Sequence, residues 1–323
     1  MKNLNGIDLL KFIMSIIIVG VHSCVFEMLA KDYFGVLINN ISNVCVPTFF
    51  VISSFFFFRK VRSLTTTKEK NRQLLMFEKR TLFLYLFWIV VQLPYIIYLR
   101  KYSFPYLGIS MLKDIFLGET FIASWFLGAM IVGMPIVYGV NRQWARNVIV
   151  LIISVIYVYM YTYSILPESW QQPYLWYRVH VGSLILSFWR GMFWMMLGYY
   201  CSSDKFVRVI VRTPQYVKLL LLVSILLLTP VCPIEYISIP FTILVFAVFY
   251  SMPLKGSAVY KQLRVYSIII YCIHGTVLAA ISFLLHPSTI LLTVIAVFIC
   301  IIVAVVVYKL SMVPRFKLLQ LAY

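Results

Sequence analysis

The sequence predicts an all-α, polytopic membrane protein of about ten transmembrane helices with both termini cytoplasmic. Three observations carry this expectation. The first is composition: 63% of the 323 residues are hydrophobic and 12% are charged, and mean hydropathy is +0.94. A soluble domain is nearer roughly 45–50% apolar and about 25% charged. The second is the length of the apolar stretches. They run for about 20 residues, enough to cross a bilayer as helix and unlike the short alternating segments of a barrel. The third is the placement of the cations, which alternates from loop to loop.

Ten stretches are expected to be helical: 7–29, 36–58, 79–99, 120–140, 147–166, 183–203, 216–232, 236–252, 265–285 and 288–310. The first apolar run is too long for a signal peptide, and no small-residue cleavage site follows it. The second is the Phe-rich CVPTFFVISSFFFF. The third follows the basic segment at 59–80, and the fourth opens around SWFLGA. The fifth is a continuous Val/Ile/Tyr run, and the sixth contains FWRGMFWMMLGYY. The seventh and eighth flank PVCPIEYISIP, which reads as a loop or as a break in one longer segment. The ninth carries YCIHG, and the tenth is the near-uniform LLTVIAVFICIIVAVVV. Pro94, Pro135, Pro230, Pro233 and Pro240 fall at or near helix ends or kinks. No loop is long enough for a soluble domain, so residues 1–323 read as a single membrane-embedded domain.

Orientation follows from the Lys and Arg residues flanking the spans. With the eight in 59–80 placed in the cytoplasm, the same side collects 22 of the 28. These include Lys2, Lys11, Arg142, Arg146, Lys205, Arg208, Arg212, Lys218 and Arg264. The other side and the helix interiors keep Lys31, Arg100, Lys101, Lys113, Arg178 and Arg190. The net charge of +18 is therefore a topology signal, and nucleic acid is not an expected partner. The six cysteines show no paired spacing, which argues against a disulfide framework or a metal site.

The first helix carries a polar stripe. Eleven helical steps separate Lys11 from His22, which brings them onto one face about 16 Å apart along the axis. Asp8, Ser15 and His22 repeat every seven residues and drift only about 20° per step. Charged groups in an apolar span are costly unless they face protein or a water-filled cavity. The stripe reads either as a helix end with a snorkelling Lys and a satisfied core His, or as a site with a cation near one surface and a base deep inside. Asp8 is expected to pair with Lys11.

Other stretches stand out in the same way. Ser53 and Ser54 sit within the Phe-rich second helix, and Arg80 sits at the mouth of the third. Glu119 and Trp125 lie near the start of the fourth, and Arg190 lies inside the sixth. Tyr271 and His274 share a face of the ninth at i and i+3. Each has a plain structural reading as well: hydroxyls bonded to their own helix, flanking charges, interfacial tryptophan.

Taken in order, these stretches resemble the acyltransferase-3 family of integral membrane acyltransferases. The D-L-L-K opening with a His eleven residues after the cation is similar to the family's first helix. FFVISSF at 49–55 resembles F-F-x-x-S-G-F, with Ser54 in place of the usual Gly. EKR at 78–80, SWFLGA at 124–129, LGYY at 197–200 and YCIHG at 271–275 resemble later motifs, with Gly275 where Pro is common. The resemblance implies O-acyl transfer, commonly of acetyl, from cytoplasmic acyl-CoA to a hydroxyl of a cell-surface or lipid-linked glycan. It implies a multi-pass protein of a bacterial cytoplasmic membrane, in contact with membrane lipid. It ties Lys11 and His22 to activity and Arg80 to the CoA end. Ser53, Trp125, Arg190, Tyr271 and His274 carry over as site candidates.

The chemistry of these residues agrees. Cytoplasmic cations hold CoA phosphates, and a pantetheine arm is roughly as long as the Lys11–His22 separation. A neutral imidazole accepts the proton of an acceptor hydroxyl. Ser53, Trp125 or Arg190 would stabilise the oxyanion, and Glu119, or else Glu27, would orient His22. Direct transfer needs no metal. A secondary transporter or glycan flippase and a partner-recruiting membrane sensor remain the other readings.

Overall fold

The structure, a computed structural model, describes residues 4–101, 107–140, 143–232 and 234–323. Lys2, Arg142 and Pro233 lie outside the described residues. Every regular element among the described residues is helical. In chain order they are α1 (Asn5–His22), α2 (Val25–Leu29), α3 (Tyr33–Ser42), α4 (Cys45–Arg62), α5 (Thr67–Val91), α6 (Leu93–Arg100), α7 (Leu107–Leu117) and α8 (Trp125–Gly139). There follow α9 (Gln143–Thr162), α10 (Glu168–His180), α11 (Phe188–Cys201), α12 (Asp204–Arg212), α13 (Gln215–Leu228), α14 (Ile234–Tyr250), α15 (Ala258–Leu285) and α16 (Thr289–Ser311).

All ten expected stretches contain helix. Five spans are long and apolar enough to cross a membrane, and seven are if each of two bent pairs is one span. The bent pairs are α5 with α6, at 76°, and α12 with α13, at 99°. Pro94 stands in the first turn of α6, where its missing N–H is tolerated at a helix start. α8 is apolar but has only 15 residues, about 22 Å of helix against a hydrocarbon core of about 30 Å. Pro135 and Pro240 lie inside α8 and α14.

Four local expectations are corrected. The first span breaks at Cys24, which takes a left-handed φ of 61°. The basic segment 59–80 is mostly helix rather than loop. α4 runs to Arg62 and α5 starts at Thr67, fixed by a capping box in which Thr66 and Glu69 bond each other's backbone N–H. Arg80 therefore lies well inside α5 and not at its mouth. α15 starts at Ala258, so Arg264 is a helix residue. α7 and α10 occupy segments expected as loops.

The chain forms two compact units: Met1–Phe49 with Val207–Tyr323, and Phe50–Phe206. In the first, α1 packs most extensively on α15, and α15 on α16. Ile7, Leu10, Met14 and Ile18 form the buried stripe of α1, spaced by three and four as a helical face requires. Gly6 lets α1 touch the end of α14, because a Cβ there would lie 2.1 Å from the Phe249 carbonyl oxygen. In the second unit α8, α9 and α11 pack together. Ser54 Oγ donates to the Phe50 carbonyl at 2.7 Å. It also lies where a Cβ on Gly198 would sit, at 1.9 Å. The close approach at this point is thus supplied by Gly198 on α11, which accommodates Ser54.

Candidate active site

The first unit brings His22, His274 and Tyr271 together. His22 is the last residue of α1. The break that follows is tied down by Ser23, whose hydroxyl meets Thr293 Oγ1 on α16 at 2.6 Å. His22 is an exposed residue at a helix end, and its backbone is fixed. Its ring centroid is 5.0 Å from that of His274, which lies in α15 with no exposed surface. His274 Nδ1 is 2.7 Å from the Tyr271 carbonyl oxygen. A carbonyl only accepts, so this bond assigns the proton to Nδ1 and leaves a lone pair on Nε2. That Nε2 is buried and has no hydrogen-bond partner among the described residues. Tyr271 is buried and contacts Phe49 edge-on at 5.5 Å between centroids.

The same helices carry an ion pair. Asp8, 6% exposed at its side chain, accepts from Arg264 Nε at 2.7 Å and Nη2 at 2.6 Å. The fork on Asp8 comes from α15, a partner that the sequence does not announce. Ser15, the middle of the sevenfold stripe, is fully buried and bonds the Phe12 carbonyl. Lys11 is half-buried. Asp8 and Ser15 thus face protein, and the stripe ends at the exposed His22. Glu27 is exposed on α2.

The second unit holds the other candidates. Trp125, 4% exposed, opens α8, and the Arg190 guanidinium lies over its ring at 5.6 Å. Arg190 Nε is buried without a partner among the described residues, so a donor remains available beside Trp125. Ser53 is half-buried and Arg80 is exposed. Glu119 precedes Trp125 in a tight loop. Its Oε1 pairs with Arg100 at 3.2 Å, and its Oε2 accepts from the Ala123 N–H at 3.3 Å. Burial holds the Glu119 carboxyl above the usual carboxylate range, with the Arg100 guanidinium pulling the other way. Arg100 also donates to the Thr120 carbonyl, and Ser124 Oγ accepts from the Thr120 N–H at 2.8 Å. Sequence reasoning missed Arg100 and Arg264 as partners, since neither is near its acid along the chain.

A family model described as an acyltransferase domain, that of the acyltransferase-3 family, matches residues 4–309. The chain belongs to the acyltransferase-3 family. That match runs through both compact units and takes in every candidate above. Among curated proteins, 157 residues are 27% identical to an amino-acid racemase of Enterococcus faecalis, a stretch of 49% of this chain and 21% of that protein. The match thus spans about a fifth of that relative's length. No solved structure matches the chain. Within this acyltransferase-3 chain, the helix-one stripe is the candidate with the most local structure around it. Its acid is forked, its serine is buried, and its exposed His22 lies beside a second imidazole.

Proposed function

We propose that this membrane acyltransferase moves an acyl group, acetyl in the simplest case, from cytoplasmic acyl-CoA to a hydroxyl of a cell-surface or lipid-linked glycan. His22 is the general base. The observation that carries the reading is the His22–His274 pair, the imidazole of an exposed residue 5.0 Å from a buried one that offers a lone pair. In this reading His22 turns to donate one ring N–H to His274 Nε2, a bond not made in the structure, where that nitrogen has no partner among the described residues, and keeps its other nitrogen unprotonated for the acceptor hydroxyl. The hydroxyl oxygen attacks the thioester carbonyl while its proton passes to His22. The tetrahedral intermediate collapses by breaking the C–S bond, and the CoA thiolate takes that proton. His274 accepts a hydrogen bond from the imidazolium formed between these steps. In this reading His274, in place of Glu119 or Glu27, orients His22.

The other candidates divide by charge and donor type. Lys11 and Arg80 hold CoA phosphates as charged donors. Ser53, Trp125 Nε1–H and the Arg190 Nε–H offer hydrogen bonds to the oxyanion. Tyr271 in the first unit, and Trp125 with Arg190 in the second, are the candidates for acceptor contact, since aromatic faces and guanidinium donors suit a sugar. Glu119 positions the loop before Trp125 through Arg100. The protein lies in the cell membrane, multi-pass, with both termini cytoplasmic.

The deciding experiment is transfer of radiolabelled acetyl from acetyl-CoA by purified protein in the presence of isolated cell-surface glycan. Mass spectrometry of surface glycans from a deletion strain identifies the acceptor. Binding of CoA with loss of one O-acetyl signal in the deletion is the expected result. Absence of any CoA affinity would sink the reading.

A transporter or flippase is a second reading, favoured by the two bent helix pairs, since broken helices in both halves mark many transporters. The α12–α13 pair weakens it. α12 carries Asp204, Lys205, Arg208 and Arg212 among nine residues, the pattern of an interfacial helix and not of half a span.

A further inference from the structure

Three arginines converge on the C-terminus of α11. Arg59 pairs with Asp204 and donates to the Ser202 carbonyl at 3.2 Å. Arg62 donates from Nε to Ser202 Oγ at 3.0 Å and from Nη2 to the Tyr199 carbonyl at 3.3 Å. Arg146 donates to the Tyr199 hydroxyl, and to the Val140 carbonyl at 2.8 Å. The Arg62 and Arg146 guanidinium carbons lie 4.7 and 4.8 Å from the centre of one ring, that of Tyr199. Phe58 supports this ring edge-on at 4.9 Å. Two guanidiniums are thus held within about 10 Å of each other, roughly one Debye length in physiological salt.

The charges do not balance. Asp204 offsets one cation. Residues 120–167 and 169–203, which hold α8, α9 and α11, contain no Asp or Glu. The carbonyls at the ends of α11 and α8 carry about half a negative charge per helix. They explain how the arginines tolerate one another, and residues 50–206 as a whole hold sixteen Lys and Arg against six Asp and Glu. Arg62 is exposed, and its two hydrogen bonds use two of five N–H donors. A planar fork held by a ring and by backbone is pre-organised for a tetrahedral oxyanion, which it grips by two parallel hydrogen bonds.

We propose that Arg62 and Arg146, clamped by Tyr199, form a docking site for a phosphate group. Two sources share this chemistry: the phosphorylated adenosine end of CoA and the headgroup of an anionic lipid. The CoA source rests on the acyl-CoA reading above. The lipid source does not.

The test uses the full chain purified in mild detergent. One arm titrates adenosine 3′,5′-bisphosphate, which carries CoA-type phosphates without the thioester arm. The other measures retained phosphatidylglycerol by native mass spectrometry. Arg62→Gln with Arg146→Gln is expected to weaken bisphosphate binding at least tenfold if CoA is the source. It is expected to reduce retained phosphatidylglycerol at least tenfold, with bisphosphate binding unchanged, if lipid is the source. Arg59→Gln, at a cation already paired with an acid, is expected to change either readout less than threefold. If the double variant binds both probes like the wild type, the proposal is overturned and the arginines only cap α11 and α8. Should that variant fail to fold, Arg62→Lys with Arg146→Lys keeps the charges and removes the forks. A loss of threefold or more then supports the site, and wild-type binding of both probes overturns it. If wild-type protein does not bind the bisphosphate at all, the acyl-CoA reading fails while the lipid arm still decides this one.

Discussion

Asp8 on α1 accepts both the Nε–H and an Nη2–H of Arg264 on α15, at 2.7 and 2.6 Å. The two helices run parallel, and His22 and His274 meet further along the same pair. From Asp8 to His22 is about 21 Å of helix, and from Arg264 to His274 about 15 Å. The difference of about 6 Å is the reach of an arginine side chain, which leans toward the N-terminus of its own helix. The ion pair therefore sets the register in which the two imidazoles face each other.

Breaking this pair should cost roughly 1–3 kcal/mol, less than for a fully buried pair because Arg264 is half exposed. Asp8→Asn and Arg264→Gln should each lower the thermal midpoint. Each should also lower kcat for acetyl transfer more than it raises KM for acetyl-CoA. The exchange Asp8→Arg with Arg264→Asp should recover part of the stability. A variant that loses stability but keeps the wild-type kcat would separate the pair from the catalytic register.

Gly198 gives a second prediction. A methyl there would meet Ser54 Oγ at 1.9 Å and the Val51 carbonyl oxygen at 2.7 Å. Gly198→Ala should destabilise the protein by about 1–3 kcal/mol through overpacking. Adding Ser54→Gly removes the first clash and leaves the second, which is backbone. Thermal unfolding of the double variant should show partial recovery only. Full recovery would mean that α4 shifts freely against α11.

The first-helix stripe was legible because a sevenfold spacing of polar residues on an apolar helix has few explanations. The burial of Asp8 and Ser15 bears out that they face protein. Arg264 as the partner of Asp8 was not legible. The pair spans 256 residues of sequence, and hydropathy alone starts that helix at 265, because polar first turns carry no apolar signal. The start of α5 did have a local mark, the Thr66–Glu69 capping box within TTKE, which a search for apolar runs passes over. α7 and α10 are too short and too mixed in composition to register as spans. That Glu119 turns to Arg100 depends on a loop with Ala123 at φ 67°, and no residue-type preference announces that turn.

Glu119 yields a prediction in pH. Its carboxyl titrates above the ordinary value of 4.5 because burial disfavours the charged form, despite Arg100. The folded state thus binds this proton more tightly than the unfolded state. Stability from this group is greatest at low pH and declines as pH rises from 4.5 through the folded value. Glu119→Gln cannot titrate. The midpoint of the wild type minus that of Glu119→Gln should therefore fall as pH rises from about 4.5 toward neutrality. An increase over the same range would reverse the assignment.

The orientation rests on the charge count and is open to a direct check. Thr65 lies exposed between α4 and α5, and Lys31 lies exposed between α2 and α3. In a background without native cysteines, Thr65→Cys should be shielded from an impermeant thiol reagent in intact cells. Lys31→Cys should react. The opposite labelling would place CoA and His22 on the wrong sides for the proposed reaction.

The last prediction separates the two histidines. His22 is exposed at a fixed helix end, whereas His274 is fully buried and bonded through Nδ1 to Tyr271. Only His22 is placed to meet a substrate hydroxyl. His22→Gln should insert and bind CoA normally and lose about 10²–10⁴ in transfer rate, the usual contribution of a general base. His274→Gln keeps a side-chain carbonyl oxygen that can accept from His22, so its loss should be smaller. His274→Leu removes the acceptor at similar volume and should reduce kcat further, with CoA affinity unchanged. His180, stacked on Trp176, and His286, at the C-terminal cap of α15, should be nearly neutral. The measurement is single-turnover acetyl transfer by purified variants, with CoA binding followed in parallel. If His22→Gln keeps more than about a tenth of the wild-type rate while His274→Gln is inactive, the base is His274 and the buried imidazole must become accessible during turnover. If neither change affects transfer, the imidazole pair is a packing contact and the general base lies elsewhere in the chain.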